Sequence, residues 1–232
     1  MSQDNIQANM NSAPVITVDG PSGSGKGTLC QKLADHFGWK LLDSGALYRL
    51  VGYLADKKSI TDQVKIAGLA LKLDIEFITD PATGELKSIL EGEDVTRQIR
   101  TEACGDLASR VAAIPAVREA LLERQRAFRI MPGLIADGRD MGSVVFPTAP
   151  LKIFLDADAE ERAKRRYNQL KEKGFDASLA KIFDEISERD ERDLKRSSSP
   201  LAIATDALVI DSSKLSIDEV FERVLKAANQ FI

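Results

Sequence analysis

The segment Gly20-Pro21-Ser22-Gly23-Ser24-Gly25-Lys26-Gly27-Thr28 lies between an apolar run, Val15 to Val18, and an amphipathic stretch, Leu29 to Phe37. That order reads strand, glycine loop, helix, and it restricts the chain to few folds. The glycines let the backbone curl until successive N–H groups face one anion. The helix start adds the positive end of its dipole, and Lys26 brings a mobile charge. Gly20 through Thr28 is therefore a candidate phosphate-binding loop. In the general form of such a loop Ser or Thr follows the lysine directly, whereas here Gly27 intervenes before Thr28.

The flanking chain supplies a sheet for this loop. Leu29, Leu33 and Phe37 recur at helical spacing, Gly38 is placed to end that helix, Trp39 to Leu42 reads as a second strand, and Asp43-Ser44 opens another helix. Further short apolar runs at Leu134 to Ala136, Leu151 to Leu155 and Ala207 to Ile210 each lead into an aspartate, Asp137, Asp156 and Asp211. Buried strands separated by helical stretches predict an α/β fold with a five-stranded parallel sheet, whose ligands sit at the carboxyl ends of the strands. From Leu73 to Asp94 the rhythm changes: Ile75, Phe77 and Thr79 alternate, Asp80-Pro81-Ala82-Thr83-Gly84 reads as a turn, and Ser88 to Leu90 resumes. This predicts a small antiparallel insertion. Pro115 is placed to open a helix carrying Val117, Leu121 and Leu122, and Ser216-Ile217-Asp218-Glu219 has the form of a capping box.

Composition narrows the class of partner. The 232 residues are 44% hydrophobic and 29% charged, enough for one α/β domain with an insertion and a substantial core. Lys plus Arg number 32 against 36 Asp plus Glu, a net charge of −4, so the overall balance favours neither nucleic acid nor anionic membrane, and any basic site must be local. Cys30 and Cys104 have no metal-ligand spacing and read as core thiols of a reducing compartment. Met1 to Ala13 lacks a basic and then apolar leader and reads as a disordered tail, and no apolar run approaches a membrane span. The cytoplasm is the expected location.

Three charged groups are candidates for chemistry. Arg162, Arg165 and Arg166 fall on one face of a predicted helix, and Arg189, Asp193 and Arg196 share a face of the next, with Arg192 adjoining. Spacing alone favours reading both as solvated faces with (i, i+4) pairs such as Glu185 with Arg189 and Glu188 with Arg192. Asp137-Gly138-Arg139-Asp140 differs, because it lies just beyond a strand end, where opposite charges beside a glycine are expected to bind something. His36, near a helix C-terminus, receives no catalytic role.

Asp19 to Thr28, Leu42-Asp43-Ser44-Gly45-Ala46-Leu47-Tyr48-Arg49, Leu90-Glu91-Gly92-Glu93-Asp94-Val95-Thr96 and Ile135-Ala136-Asp137-Gly138-Arg139-Asp140-Met141-Gly142 together resemble the bacterial cytidylate kinases, a branch of the nucleoside monophosphate kinases, from about Val15 to the C-terminus. The resemblance implies a kinase core, with a monophosphate-binding insertion over about 45–115 and a short helical lid over about 160–196. It implies phosphoryl transfer from ATP to CMP or dCMP, with Mg²⁺ held largely by phosphate oxygens and water. Thr28 and Asp137 are the side chains nearest that role, and for Asp137 a purely structural part is an equal alternative. Ser44, Arg49 and Arg139 would handle the monophosphate. Ser109, Arg118 and Asp140 would read cytosine, Arg189 and Asp193 would meet the ribose, and Arg196 would reach the acceptor phosphate. Arg162, Arg165 and Arg166 would belong to the lid, with Arg166 closest to the transferring phosphate. Lys26, Arg139, Arg166 and Arg196 would then be the catalytic set, in a monomer.

The chemistry of base reading stands apart from the resemblance. Cytosine offers an amino donor beside a ring-nitrogen acceptor, which suits a carboxylate and a guanidinium, and uracil reverses both. Two other readings share the loop: a kinase of the UMP, shikimate or gluconate type, and a GTP-hydrolysing switch protein. The chain has no Asn-Lys-x-Asp guanine-reading motif.

Overall fold

The computed structural model describes residues 13–79, 86–172, 176–196 and 199–231. The expected turn over 80–84 and all but Ala13 of the expected N-terminal tail lie outside the described residues. The chain divides into two compact units, one formed by Met1–Ser44 with Gln125–Ile232 and the other by Gly45–Arg124.

The first unit is built on a five-stranded parallel sheet in the order β2-β6-β1-β7-β8, with β1 at Val15–Asp19, β2 at Lys40–Asp43, β6 at Leu134–Gly138, β7 at Leu151–Asp156 and β8 at Leu208–Asp211. All five residues of β1 are buried, as a central strand covered on both faces requires. The edge strands depart from the expectation of full burial: Leu208 and Val209 of β8 are exposed, as are Lys40 and Asp43 of β2. An edge strand has one lateral neighbour and incomplete cover on its faces, so a short apolar run there overstates its burial.

Helix α1, Lys26–Phe37, places Leu29, Cys30, Leu33 and Ala34 in a core shared with Ile16, Val18, Ile135, Ile153 and Leu155. Gly38 ends it in the left-handed conformation, at φ 64°, and donates its N–H to Ala34 O. The last helix, α9 at Ile217–Ala228, opens with a complete capping box: Ser216 accepts from the Glu219 N–H, and Glu219 accepts from the Ser216 N–H. Its buried face, Val220, Val224 and Ala228, joins the same core. Two further helices, α7 at Ala159–Glu172 and α8 at Leu179–Lys195, pack on each other through Ala163, Ile182 and Ile186.

The second unit carries α2, which begins at Ser44 and runs to Lys57, α3 at Gln63–Leu71, and a three-stranded antiparallel sheet of β3 (Ile75–Thr79), β4 (Leu86–Leu90) and β5 (Glu93–Asp94). The short α4, Thr96–Ile99, then leads to α5, Glu102–Ala112, and to α6, Pro115–Arg126, whose end returns the chain to the first unit. Among the described residues no helix is long and apolar enough to cross a membrane.

One glycine fixes where the phosphate loop leaves the sheet. Gly20 follows β1 at φ +146°, and a Cβ there would run into the Leu155 carbonyl oxygen of β7. Gly20→Ala is expected to lose about 1–3 kcal/mol or more of stability, read as a lowered urea midpoint, because the obstacle is backbone that cannot rotate aside. An unchanged midpoint would contradict that packing.

Candidate active site

The loop after β1 holds itself in shape. Gly23 and Gly25 have positive φ, at 80° and 97°, and Gly25 stands at the N-cap of α1 with no side chain to cap the helix. No side chain caps the opening of α1, as at helix N-termini that bind phosphate. Lys26, 5% exposed, donates through its ammonium to Pro21 O at 2.7 Å, and the Ser24 hydroxyl donates to the same carbonyl at 3.1 Å.

Around Lys26 the strand ends gather carboxylates. Asp43 pairs in register with Asp137 across β2 and β6, and Val18 of β1 pairs with Asp137 from the other side. Burial pulls Lys26 below the ordinary lysine range, Arg139 pulls it further, and Asp137 acts against both. Burial likewise raises the Asp137 carboxyl, against the attraction of Lys26. Both shifts disfavour charge in a desolvated pair.

Asp19 does different work. Its two carboxylate oxygens accept the N–H groups of Met141 and Gly142, each at 2.8 Å. Those residues begin a π-helical turn, Met141–Val145, directly after Arg139 and Asp140, so the last residue of β1 fixes the start of the turn that follows the Asp137-Gly138-Arg139-Asp140 segment. Burial outweighs these two bonds and raises the Asp19 carboxyl from 3.8 to about 6. Asp156 and Asp211, at the ends of β7 and β8, bind locally instead: Asp156 accepts from Ala157 N–H, and Asp211 accepts from both the N–H and the hydroxyl of Ser213.

The arginines of α7 and α8 are not simply a solvated face. Arg162 is 4% exposed; its Nη2 meets Asp190 at 2.5 Å, while Nε and Nη1 donate to Ala157 O and Ser22 O. Asp193 and Arg196 are buried as well, because α7 and α8 close on each other and on neighbouring loops. Arg139 Nε meets Asp193 at 3.1 Å and its Nη1 donates to Gly138 O. Burial pushes the Asp193 carboxyl up, but Arg139, Arg189 and Arg196 together hold it below the usual carboxylate range. The expected strand-end segment and the α8 residues are therefore one electrostatic group. Arg196 donates to Ser199 O, and Arg166 Nη1 to Gln169 at 3.3 Å. Asp140 is buried, and Ser44 is buried with its hydroxyl donating to Gln125 Oε1 at 2.7 Å.

Within the second unit, Arg49 on α2 donates through Nη1 to Ile99 O at 2.6 Å and Thr101 O at 3.0 Å. Arg118 on α6 is buried with its guanidinium 5.5 Å from the centre of the Tyr48 ring, and Ser109 is buried on α5. Cys30 and Cys104 are buried thiols that form no disulfide with each other; Cys104 donates to Arg49 O at 3.4 Å, and burial raises the Cys30 thiol well above its ordinary range. His36 packs edge-on against Phe37 and Phe221.

Sequence reasoning gave no role to Asp19, Gln125, Asp190 or Ser212. Asp19 had a signal, as a carboxylate at a strand end beside the loop. Gln125 and Ser212 had none, because their partners are 81 and as many as 188 residues away in the chain.

A phosphate loop on the central strand of a parallel sheet, with arginines and carboxylates grouped at the strand ends, defines a phosphate-loop kinase. A profile of the family described as "Cytidylate kinase" matches residues 16–230. A protein named cytidylate kinase from Shewanella sp. (strain W3-18-1) is 58% identical over 220 residues, covering 94% of this chain and 96% of that protein. Those of Serratia proteamaculans (strain 568) and Shewanella frigidimarina (strain NCIMB 400) are 58% and 57% identical, each over 222 residues, 95% of this chain and 96% and 97% of theirs. The chain belongs to the cytidylate kinase family.

Asp19 gives this site a pH signature. An unfolded aspartate loses its proton near its ordinary 3.8, whereas the folded Asp19 holds it to about 6, so between these values the folded state binds more protons and stability falls as pH rises. Asp19→Asn lacks that contribution. The urea midpoint of the wild type is therefore expected to fall relative to that of the variant between about pH 4 and pH 6, and parallel profiles would contradict it.

Proposed function

We infer that this chain transfers the γ-phosphoryl group of ATP to the phosphate of CMP or dCMP, releasing ADP and CDP or dCDP. The observation that carries the reading is the pairing of a phosphate loop and buried Lys26 with an Arg139–Asp193 ion pair at the neighbouring strand end, in a member of this family. No protein nucleophile is required, because an ionised phosphate oxygen already attacks phosphorus; the protein must position the two groups and neutralise charge.

In this reading Gly20 to Thr28 takes the polyphosphate of ATP, with Lys26 released from Pro21 O toward the phosphates. Arg139 and Arg196 neutralise the acceptor phosphate, and phosphate competes with Asp193 for Arg139. Arg166, half-buried on α7, meets the transferring phosphate. Ser44 and Arg49 hold the monophosphate end, Arg189 and Asp193 the ribose hydroxyls, and Ser109, Arg118 and Asp140 the cytosine edge. The unit Gly45–Arg124 then serves as the monophosphate-binding insertion, and α7 with α8 as the lid. Because every assigned group comes from one chain, we propose a monomer, and two buried thiols outside any disulfide suit the reducing cytoplasm.

The side chains fit magnesium of the loosely held kind. Among the described residues no three acidic, histidine or cysteine side chains converge to hold a metal. The Asp137 carboxylate lies 3.7 Å from where a Cβ on Gly27 would be, and Thr28 is exposed at the start of α1. Asp137 would hold metal-bound water and Thr28 could add its hydroxyl, while phosphate oxygens supply the remaining ligands. Magnesium, when bound, offsets polyphosphate charge.

Two substitutions test the acceptor half. Asp140→Asn replaces a carboxylate that suits the cytosine amino group with an amide that also accepts uracil. We expect the kcat/KM preference for CMP over UMP, which such sites can raise to the order of 10⁴, to fall at least tenfold; an unchanged preference would remove Asp140 from base reading. For Asp193→Ala, kcat/KM should fall further with CMP than with dCMP, since only CMP has a 2′-hydroxyl to lose, and equal losses would reject the ribose contact.

A further inference from the structure

The phosphate loop is held from behind as well as from within. If a loop's N–H groups face an anion, its carbonyls face away, and those carbonyls need donors of their own. Three of them have side-chain donors. Pro21 O receives Lys26 and the Ser24 hydroxyl, Ser22 O receives Arg162 Nη1 at 3.0 Å, and Ser24 O receives Arg165 Nη1 at 3.3 Å. The Arg165 Nη1 is also 4.0 Å from where a Cβ on Gly25 would be, so the guanidinium lies along the back of the loop.

Arg165 is itself aimed. Ser212, 3% exposed just after β8, accepts from Arg165 Nη2 through its carbonyl at 2.6 Å and from Nη1 through its hydroxyl at 3.1 Å. The Ser212 N–H and hydroxyl both reach Asp156 O at the end of β7, at 2.8 and 2.9 Å, and the hydroxyl is 3.3 Å from Ser24 O. Glu161 takes Arg165 Nε at 3.1 Å. Nε and both terminal nitrogens of the guanidinium are thus committed to protein acceptors, an unsuitable state for a group that must seize a phosphate, and a suitable one for a fixed brace.

We propose that Arg165, oriented by Ser212, is a positioning residue that fixes the Ser24 carbonyl and so keeps the loop's N–H groups turned toward the nucleotide phosphates. A flip of the Ser24–Gly25 peptide would replace an N–H donor with a carbonyl facing the anion, and two glycines with positive φ nearby make such a flip sterically open. The brace removes that alternative before the nucleotide arrives. This inference rests on the reading that ATP occupies the loop, and it assigns Arg165 a part distinct from that of Arg166.

The test combines amide hydrogen exchange of the nucleotide-free protein with calorimetric Kd values for ADP, ATP and CMP, in wild type, Arg165→Ala, Arg165→Lys and Ser212→Ala. Arg165→Ala is expected to speed exchange across residues 20–28 roughly tenfold and to raise the ADP and ATP Kd values by a common factor of about ten, leaving CMP binding unchanged. Arg165→Lys keeps the charge but cannot hold two acceptors as a fork does, so it falls between wild type and alanine. Ser212→Ala, a mild change with no route to the nucleotide, shifts both readouts in the same direction by about two- to threefold. Unchanged loop exchange in Arg165→Ala and Ser212→Ala, or a loss confined to ATP with ADP binding intact, would overturn the brace and make Arg165 a direct γ-phosphate ligand or a bystander. Wild type that binds no ADP would overturn the ATP reading together with the brace, whereas ADP binding unaltered in every variant would overturn the brace alone.

Discussion

An ammonium group buried at the carboxyl edge of a parallel sheet sets the conditions for the rest of this site. Lys26 is fixed by the turn that precedes it, through Pro21 O, and by the helix it begins. Desolvation and Arg139 both oppose its charge, and the nearby Asp137 and Asp19 carboxylates favour it. Such a group is incompletely satisfied, because one carbonyl does not replace the water an ammonium loses on burial. The folded chain therefore holds a buried cation whose charge is opposed by desolvation and by Arg139. That condition requires β1 to end where it does, Gly20 to lie against β7, and β6 to bring Asp137 alongside.

The same edge divides its aspartates by task. Those on β7 and β8 close local turns, which shape the backbone near Ser212. Asp19 instead spans a long sequence distance to hold the turn beginning at Met141, and so orders the segment that carries Arg139 and Asp140. From the other side, α8 brings Asp193 to Arg139 and Asp190 to Arg162, and Arg162 in turn touches the phosphate loop at Ser22 O. The phosphate loop, Arg139 and the α7–α8 pair are thus linked by charged hydrogen bonds within the first unit, and each link is directional and sensitive to the loss of one partner.

Much of this was legible in the chain. The five apolar runs, the glycine loop, Gly38 as a C-cap and the Ser216 capping box all depend on neighbours within a few residues, and each occurs where the sequence puts it. The arginines of α7 and α8 were less legible, since their spacing fits a solvated face as well as a buried one. Burial of Arg162, Asp193 and Arg196 comes from packing between two helices and a distant loop, which no local pattern encodes. The edge strand β8 shows the converse error: an apolar run identified the strand, but its exposure follows from its place in the sheet order. Ser212 and Gln125 illustrate what lies beyond reach, common residue types whose partners are fixed only by the tertiary fold.

A cytidylate kinase passes the γ-phosphoryl group of ATP to a cytidine monophosphate and not to water or another acceptor. ADP release from magnesium-ATP, measured with CMP, dCMP, UMP, AMP, GMP and shikimate offered separately, tests it most directly. The account predicts rapid ADP release with CMP and dCMP and little with the other acceptors or with none. Equal release without any acceptor, or a preference for UMP, a purine nucleotide or shikimate, would contradict it.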